Sequence, residues 1–112
     1  MARVLLVEDE KGLRDIVAEA LLDMGHEATM AENGVEAIHH LAKNQYDVVI
    51  SDISMPEGVS GIDLAEYIQA ANIPSKVILV SGHARSQLPG LPENVSFLPK
   101  PYRLQQLLSL LQ

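Results

Sequence analysis

Five side chains that can do chemistry each follow a short apolar run in this sequence. They are three carboxylates, a hydroxyl and an ammonium group: Glu8, Asp9, Asp52, Ser81 and Lys100. If the apolar runs are parallel strands, with the first beside the third, these groups meet in one crevice at the carboxyl ends of the strands. Each pair of ionised carboxylates there, at ~4 Å and an effective dielectric of ~20, would repel by about 4 kcal/mol. Lys100 offsets only part of that repulsion, so the set predicts a bound divalent cation.

The ligand types narrow the choice of metal and of reaction. Mg²⁺ prefers one or two carboxylates together with water and phosphate oxygens, which suits this set. Zinc and copper are disfavoured because the set contains neither His nor Cys. Asp52 is the candidate nucleophile, since a carboxylate is ionised at pH 7 and can attack a phosphoryl group without a general base. It closes an apolar run over residues 48–51, and its burial would otherwise be hard to explain.

The elements that must position these groups are readable from hydrophobic patterning. Five runs rich in β-branched residues predict strands, those over 4–7, 48–50 and 77–80 more strongly than those over 26–31 and 95–98. Two segments have apolar residues at helical spacing. The first carries Leu13, Ile16, Val17, Ala20, Leu21 and Met24, and the last carries Leu104, Leu107, Leu108 and Leu111. Gly25 stands where a left-handed helix stop is expected.

Capping residues predict two further helices. Asn33 with Glu36 three residues later predicts the start of the second helix, which should stop near Asn44. Ser60 with Asp63 predicts the start of the third in the same way.

The segment between the fourth and fifth strands breaks this rhythm. Pro89, Gly90 and Pro92 within residues 83–94 leave room for only a short or irregular fourth helix. Five strand and helix alternations otherwise imply right-handed crossovers. The predicted fold is α/β, a doubly wound five-stranded parallel sheet with helices on both faces.

Size and composition bound the function. A chain of 112 residues fits one domain, 1–112, with 47 % hydrophobic and 21 % charged residues, as in ordinary globular proteins. No apolar run approaches the ~20 residues of a membrane span, and Cys is absent, so we expect a soluble, cytoplasmic protein without disulfides. The net charge of −7 argues against direct binding to nucleic acid.

Four strings in this order, VLLVEDE, DISMP, LVSGHA and FLPKPY, resemble the receiver domain of two-component response regulators. Each string is weak alone, but the four in register cover essentially the whole chain. The resemblance implies the flavodoxin-like strand order 2-1-3-4-5. It also implies a phosphoacceptor in a two-component system or phosphorelay. Such a domain is not an enzyme, although it assists its own phosphorylation and dephosphorylation.

Carried over by position, the resemblance assigns roles to particular residues. Asp52 is then the phosphoacceptor, Glu8 and Asp9 are the acidic pair that supports Mg²⁺, and the backbone carbonyl of Ser54 is a further ligand. Lys100 contacts the phosphoryl group.

The resemblance also implies a switch and two tuning positions. Ser81 moves to the phosphoryl oxygen, and Phe97 is the aromatic switch residue. Because Phe97 lacks a hydroxyl, we expect its buried rotamer to be populated even without phosphate. Ser54 and His83 stand where side chains tune how fast water removes the phosphate.

The partners follow from the same resemblance. The donor should be a phosphohistidine on a sensor histidine kinase or a histidine phosphotransfer protein, docking near the first helix and the loops of the site. A homodimer is possible. The sequence does not identify the kinase or the output.

Several alternatives remain at this stage. A phosphatase of the haloacid-dehalogenase type would need a second Asp two residues after Asp52, where Ser54 stands. A nucleotide or flavin binder would need a Gly-rich loop after the first strand, which is absent. An interaction module that never takes phosphate is the third alternative. In the plainest interpretation, Glu8, Asp9 or Glu10 only caps the first helix, and Lys100-Pro101 only starts the last.

Overall fold

The computed structural model describes residues 2–54, 58–82 and 95–111. Five strands alternate with helices along the chain. The strands are β1 (Arg3–Val7), β2 (Glu27–Ala31), β3 (Val48–Asp52), β4 (Lys76–Ser81) and β5 (Val95–Pro99). The described helices are α1 (Lys11–Asp23), α2 (Gly34–Lys43), α3 (Gly61–Ala70) and α4 (Leu104–Ser109).

All strands pair in parallel in the order β2-β1-β3-β4-β5, which confirms the predicted fold. Each strand lies within one or two residues of its predicted bounds, and the weakest predictions, β2 and β5, form the two edges of the sheet. The predicted short or irregular helix over 83–94 lies outside the described residues.

Alternating residues of the strands face two separate hydrophobic clusters. Leu5, Val7 and Val49 pack on one face of the sheet with α2 and α3. Leu6 and Ile50 pack on the other face with α1 and α4. The central strands are therefore apolar on both sides, as their uninterrupted hydrophobic runs predict.

Local capping fixes where the helices begin and end. The side chain of Asn33 accepts a hydrogen bond from the backbone N–H of Glu36, at 2.8 Å. Ser60 and Asp63 form a reciprocal capping box. Gly25 follows α1 at φ +84°, the left-handed conformation that favours glycine. These predicted caps are confirmed.

The predicted apolar stripe of α1 is only partly buried. Val17 and Leu21 are fully buried, but Ile16 and Met24, which belong to the same predicted stripe, are 56 % and 54 % exposed. Arg14 is buried instead, at 7 % exposure. Helical spacing alone misplaced these residues, because α1 packs against β2, β1 and α4, and these elements leave Ile16 and Met24 exposed.

The start of α3 packs directly against the end of β3. A Cβ atom built on Gly61 would overlap the carbonyl oxygen of Asp52 and would lie 2.9 Å from the Cα atom of Ile53. The N–H of Gly61 donates to the carbonyl of Ile53 at 2.9 Å. Only glycine fits here, and the contact fixes the backbone that carries Asp52.

The described helices are short, with 6 to 13 residues each. Within 2–54, 58–82 and 95–111, none is both long and apolar enough to cross a bilayer.

Candidate functional site

The carboxyl ends of four strands bring the predicted groups to one edge of the sheet. Glu8 follows β1, Asp52 and Ser81 are the last residues of β3 and β4, and Lys100 follows β5. Asp52 pairs in register with Val80, so Ser81 stands one residue further along the neighbouring strand. The backbone N–H of Lys100 donates to the carbonyl of Ser81 at 2.7 Å, which ties the end of β5 to the end of β4.

Three carboxylates cluster at this edge. One oxygen each of Glu8, Asp9 and Asp52 lies within 4.8 Å of the others. Glu8 and Asp52 are buried, at 5 % and 8 % exposure, whereas Asp9 faces solvent. Three oxygen donors and one open side are a donor set that could hold a hard divalent cation such as Mg²⁺, and the set contains no nitrogen or sulfur ligand.

Lys100 supplies the positively charged side chain that the sequence predicts beside the carboxylates. Its Nζ atom lies 2.8 Å from a carboxylate oxygen of Asp52 and 3.3 Å from one of Glu8. Burial acts to lower the pKa of Lys100, but the hydrogen bond and charge of Asp52, with Glu8, raise it above its ordinary value. Lys100 therefore remains charged at neutral pH and offsets one of the three carboxylates.

Glu8 is held by several contacts. Its backbone N–H donates to the carbonyl of Ala31 at 3.0 Å, and its carboxylate accepts a hydrogen bond from the backbone N–H of Glu10 at 3.2 Å. Glu10 is the N-cap of α1 and makes no side-chain cap hydrogen bond. The Glu8 carboxylate thus contacts both the backbone of Glu10 and the ammonium group of Lys100. A residue that only capped α1 would not need the contact with Lys100.

The pKa of Glu8 is raised, chiefly because burial penalises its charged form and also because Asp52 is near. The folded protein therefore holds a proton on Glu8 more tightly than the unfolded chain does. This contribution to stability is complete below the ordinary pKa of 4.5 and is lost as pH rises through the raised value.

We therefore expect Glu8→Gln to flatten the fall in stability of the metal-free protein as pH rises above the ordinary pKa of 4.5. The neutral amide keeps an acceptor for Lys100 but removes the buried charge. Urea unfolding of both proteins in EDTA, at several pH values in this window, measures the difference. Equal pH slopes for the two proteins would contradict the expectation.

The backbone after Asp52 turns toward its side chain. One carboxylate oxygen of Asp52 accepts a hydrogen bond from the N–H of Ser54 at 3.3 Å, while the other contacts Lys100. Ser54 is exposed, and Ser81 is buried at 1 % exposure. The N–H of Ser54 therefore lies beside the acidic cluster, and the roles of Ser54 as a tuning residue and as a backbone ligand remain predictions.

Two further predicted positions have different outcomes. Phe97 is partly buried in the middle of β5, opposite Leu79, and packs against the cluster that includes α2 and α3. Its role as a switch remains a prediction.

Two other predictions concern residues elsewhere in the chain. His83 lies outside the described residues. Lys100-Pro101 does not start a helix, since α4 begins at Leu104, so that alternative is wrong.

Sequence reasoning missed two residues that shape the site. Arg14 contacts the backbone of Glu8, and Gly61 contacts that of Asp52. Helical periodicity assigns a charged residue to solvent, so Arg14 gave no signal. A Gly directly after the N-cap Ser60 was visible, but the need for it arises only from the approach of α3 to β3.

Comparison with known proteins agrees with this geometry. A model of the response regulator receiver domain family matches residues 4–112. The response regulator receiver protein CpdR from Brucella abortus is 30 % identical over 112 residues, which cover 97 % of this chain and 92 % of that protein. The sensor kinase CckA from Brucella abortus is 38 % identical over 111 residues, which cover 95 % of this chain and 12 % of the kinase.

A solved structure supports the same assignment. The response regulator TrrA from Thermotoga maritima, crystallised in complex with Mg²⁺-BeF, has a TM-score of 0.80 and 33 % identity, covering 100 % of both chains. This chain spans about half the length, 47 %, of several longer response regulators that it matches. The family match, the strand order and the acidic site agree: the chain belongs to the response regulator receiver domain family of two-component signalling.

Proposed function

We propose that residues 1–112 form one receiver domain that takes a phosphoryl group onto Asp52 with the assistance of Mg²⁺, and that this modification switches its signalling state. The contact of Lys100 with the Asp52 carboxylate, at 2.8 Å beside two further carboxylates, carries the proposal. A purely structural ion pair would need neither Glu8 nor Asp9. Three carboxylates around one ammonium group leave an excess of negative charge that suits a bound cation.

The transfer would be an in-line displacement. An oxygen of Asp52 forms a new P–O bond while the P–N bond to the donor histidine breaks, and the electron pair of that bond leaves with the imidazole nitrogen. Asp52 is held for this by the Ser54 N–H on one oxygen and by Lys100 on the other. Lys100 has three ammonium protons, two of which serve Asp52 and Glu8 among the described contacts. The third can face a phosphoryl oxygen.

Glu8, Asp9, Asp52 and the backbone carbonyl of Ser54 would hold the cation. Bound Mg²⁺ would neutralise charge on the phosphoryl oxygens. The side chain of Asp9 is the exposed member of the set, so it lies where a hydrated ion would enter. Dependence on Mg²⁺ is therefore part of the proposal.

The switch would begin at Ser81 and end at Phe97. Phosphorylation adds roughly −1.5 to −2 charges at Asp52. Ser81 stands on the adjacent strand and can donate its hydroxyl to the new oxygens, and Phe97 lies on the next strand along the sheet. Because Phe97 is already partly buried, we expect its aromatic signal to change less than in a clean two-state switch.

Small-molecule phosphorylation tests the proposal directly. Wild-type protein incubated with acetyl phosphate and Mg²⁺ should gain the mass of one phosphoryl group, and hydroxylamine should remove it, as expected for an acyl phosphate. The same incubation in EDTA should give no gain. An unmodified mass with Mg²⁺ present would favour the interaction-module alternative, whereas an equal gain in EDTA would reject the role of the metal.

The proposed donor is a phosphohistidine on a sensor histidine kinase or a histidine phosphotransfer protein. A likeness to part of the sensor kinase CckA supports this class of partner. An apolar groove adjoins the site, and it is lined by Leu13, Ile16, Lys100, Pro101, Tyr102 and Leu104. Because Lys100 reaches both this groove and Asp52, a partner seated there would hold its histidine near the acceptor.

We expect Ile16→Asp to slow phosphorylation by a cognate kinase by about tenfold or more, because it places a charge in the apolar docking groove. Phosphorylation by acetyl phosphate should be unchanged, since Ile16 is exposed and lies outside the acidic cluster. Leu22→Asp is the matched control because Leu22 is equally exposed, at 59 %, but lies outside the groove. Equal slowing in both variants would contradict a specific docking role.

A further inference from the structure

Arg14 is a buried cation that the proposed transfer does not use. It lies in the second turn of α1, and its side chain is 9 % exposed. Nη1 donates to the backbone carbonyl of Glu8 at 2.7 Å, and Nη2 lies 3.5 Å from a carboxylate oxygen of Glu32. Burial of a guanidinium group is unfavourable unless its N–H groups are hydrogen-bonded. The position of Arg14 therefore depends on these contacts, and we ask what they do for the site.

Arg14 donates to the backbone carbonyl of Glu8, the residue that directly follows β1. The ladder between β1 and β2 ends at the pair Val7 and Ala31. The N–H of Glu8 still reaches the carbonyl of Ala31, at 3.0 Å, but its own carbonyl lies past the last paired residue. A buried carbonyl without a donor would be destabilising. Arg14 satisfies this one with a charge-assisted hydrogen bond, which is stronger than a neutral one.

This carbonyl belongs to the peptide group that joins Glu8 to Asp9. Because a peptide group is planar, fixing its oxygen also fixes the direction in which the chain leaves Glu8 and reaches Asp9. Glu8 and Asp9 are two of the three carboxylates in the cluster. The hydrogen bond from Arg14 therefore constrains the backbone between Glu8 and Asp9, and with it the relative placement of their two side chains.

We infer that Arg14 is a positioning residue for the cation site: it holds the Glu8–Asp9 peptide so that the two carboxylates converge with Asp52. This inference rests on the proposed function. Donors that orient the groups around a metal, without touching it, commonly change metal affinity by about 10- to 100-fold. The effect should come from the bond to Glu8 and not from Glu32, because Glu32 is largely exposed and its pair is long.

Mg²⁺ titration of the full chain, by calorimetry or by amide NMR shifts, tests the inference. Arg14→Gln should weaken Mg²⁺ binding by about tenfold or more. Two controls should stay within about twofold of wild type. Glu32→Gln removes only the ion pair, and Val17→Ala loosens the buried face of α1 without touching Glu8. In the metal-free proteins, the carbonyl carbon shift of Glu8 should change in Arg14→Gln alone.

Each result decides the question. Wild-type affinity in a folded Arg14→Gln variant would overturn the inference, and so would an equal loss in Glu32→Gln or in Val17→Ala. Should Arg14→Gln fail to fold, Arg14→Met fills the buried space without a donor and is held to the same outcomes. If wild type itself binds no Mg²⁺, the proposed function fails together with the inference. If wild type binds Mg²⁺ and Arg14→Gln binds it equally well, the inference alone fails.

Discussion

Asp52→Asn should abolish the phosphoryl mass gain that wild-type protein shows with acetyl phosphate and Mg²⁺. The amide has nearly the same shape, so it can keep the contact with the Ser54 N–H. It lacks the negative charge that attacks phosphorus and bonds to Lys100. Among the three clustered carboxylates, Asp52 ends the central strand β3 and makes the shorter contact with Lys100, at 2.8 Å against 3.3 Å for Glu8, so we expect it to be the acceptor. Intact mass measured over time gives the result.

The control must change charge without touching the site. Asp23→Asn makes the same chemical change at the exposed end of α1, far along the chain from the cluster, and should be labelled like wild type. Circular dichroism should show that both variants are folded. Labelling of Asp52→Asn at the wild-type rate would mean that another residue is the acceptor, and the proposed function would then be wrong.

Gly61→Ala should lower the free energy of unfolding by about 2 to 3 kcal/mol, because the added methyl group overlaps backbone that has no room to move. Its Cβ would contact the Asp52 carbonyl and the Cα atom of Ile53, the latter at 2.9 Å. Relief of the overlap requires α3 to shift away from β3. The fraction of molecules that remain folded should therefore also be phosphorylated more slowly. Urea unfolding and acetyl phosphate labelling measure the two effects.

Gly12→Ala is the matched control for this substitution. Gly12 lies in α1, and a Cβ atom there would meet nothing within 4 Å. Alanine in place of glycine in a helix should raise stability by up to about 1 kcal/mol. If Gly61→Ala is as stable as Gly12→Ala, the close approach of α3 to Asp52 does not exist in solution.

Hydrophobic patterning and local capping were enough to predict the sheet. Runs buried on both faces identified β3 and β4, and Asn33 and Ser60 marked the starts of α2 and α3. Convergence of the five polar groups followed because parallel strands end at one edge. The strands and helix starts depend on residues that are close in the sequence, and the convergence of the polar groups depends on a general rule of topology. Both can therefore be predicted from the sequence alone.

The packing of α1 next to the site was not predictable in the same way. Arg14 is buried and donates to the carbonyl of Glu8, just after β1, and nothing in the spacing of α1 indicates that contact. Ile16 is exposed because neighbouring elements cover only part of the apolar stripe. Both outcomes depend on where distant segments end, to within one or two residues, and that is the least certain part of sequence reasoning.

The position of Lys100 in the chain has a consequence for biosynthesis. It contacts Glu8 across 92 residues and Asp52 across 48. While the ribosome is still making the last strand, a nascent chain already carries all three clustered acids but lacks their counter-charge. Closure of such long loops is slow compared with local helix formation. Among the described residues, the cluster thus gains the ammonium group that offsets one of its three carboxylates only when the end of β5 docks.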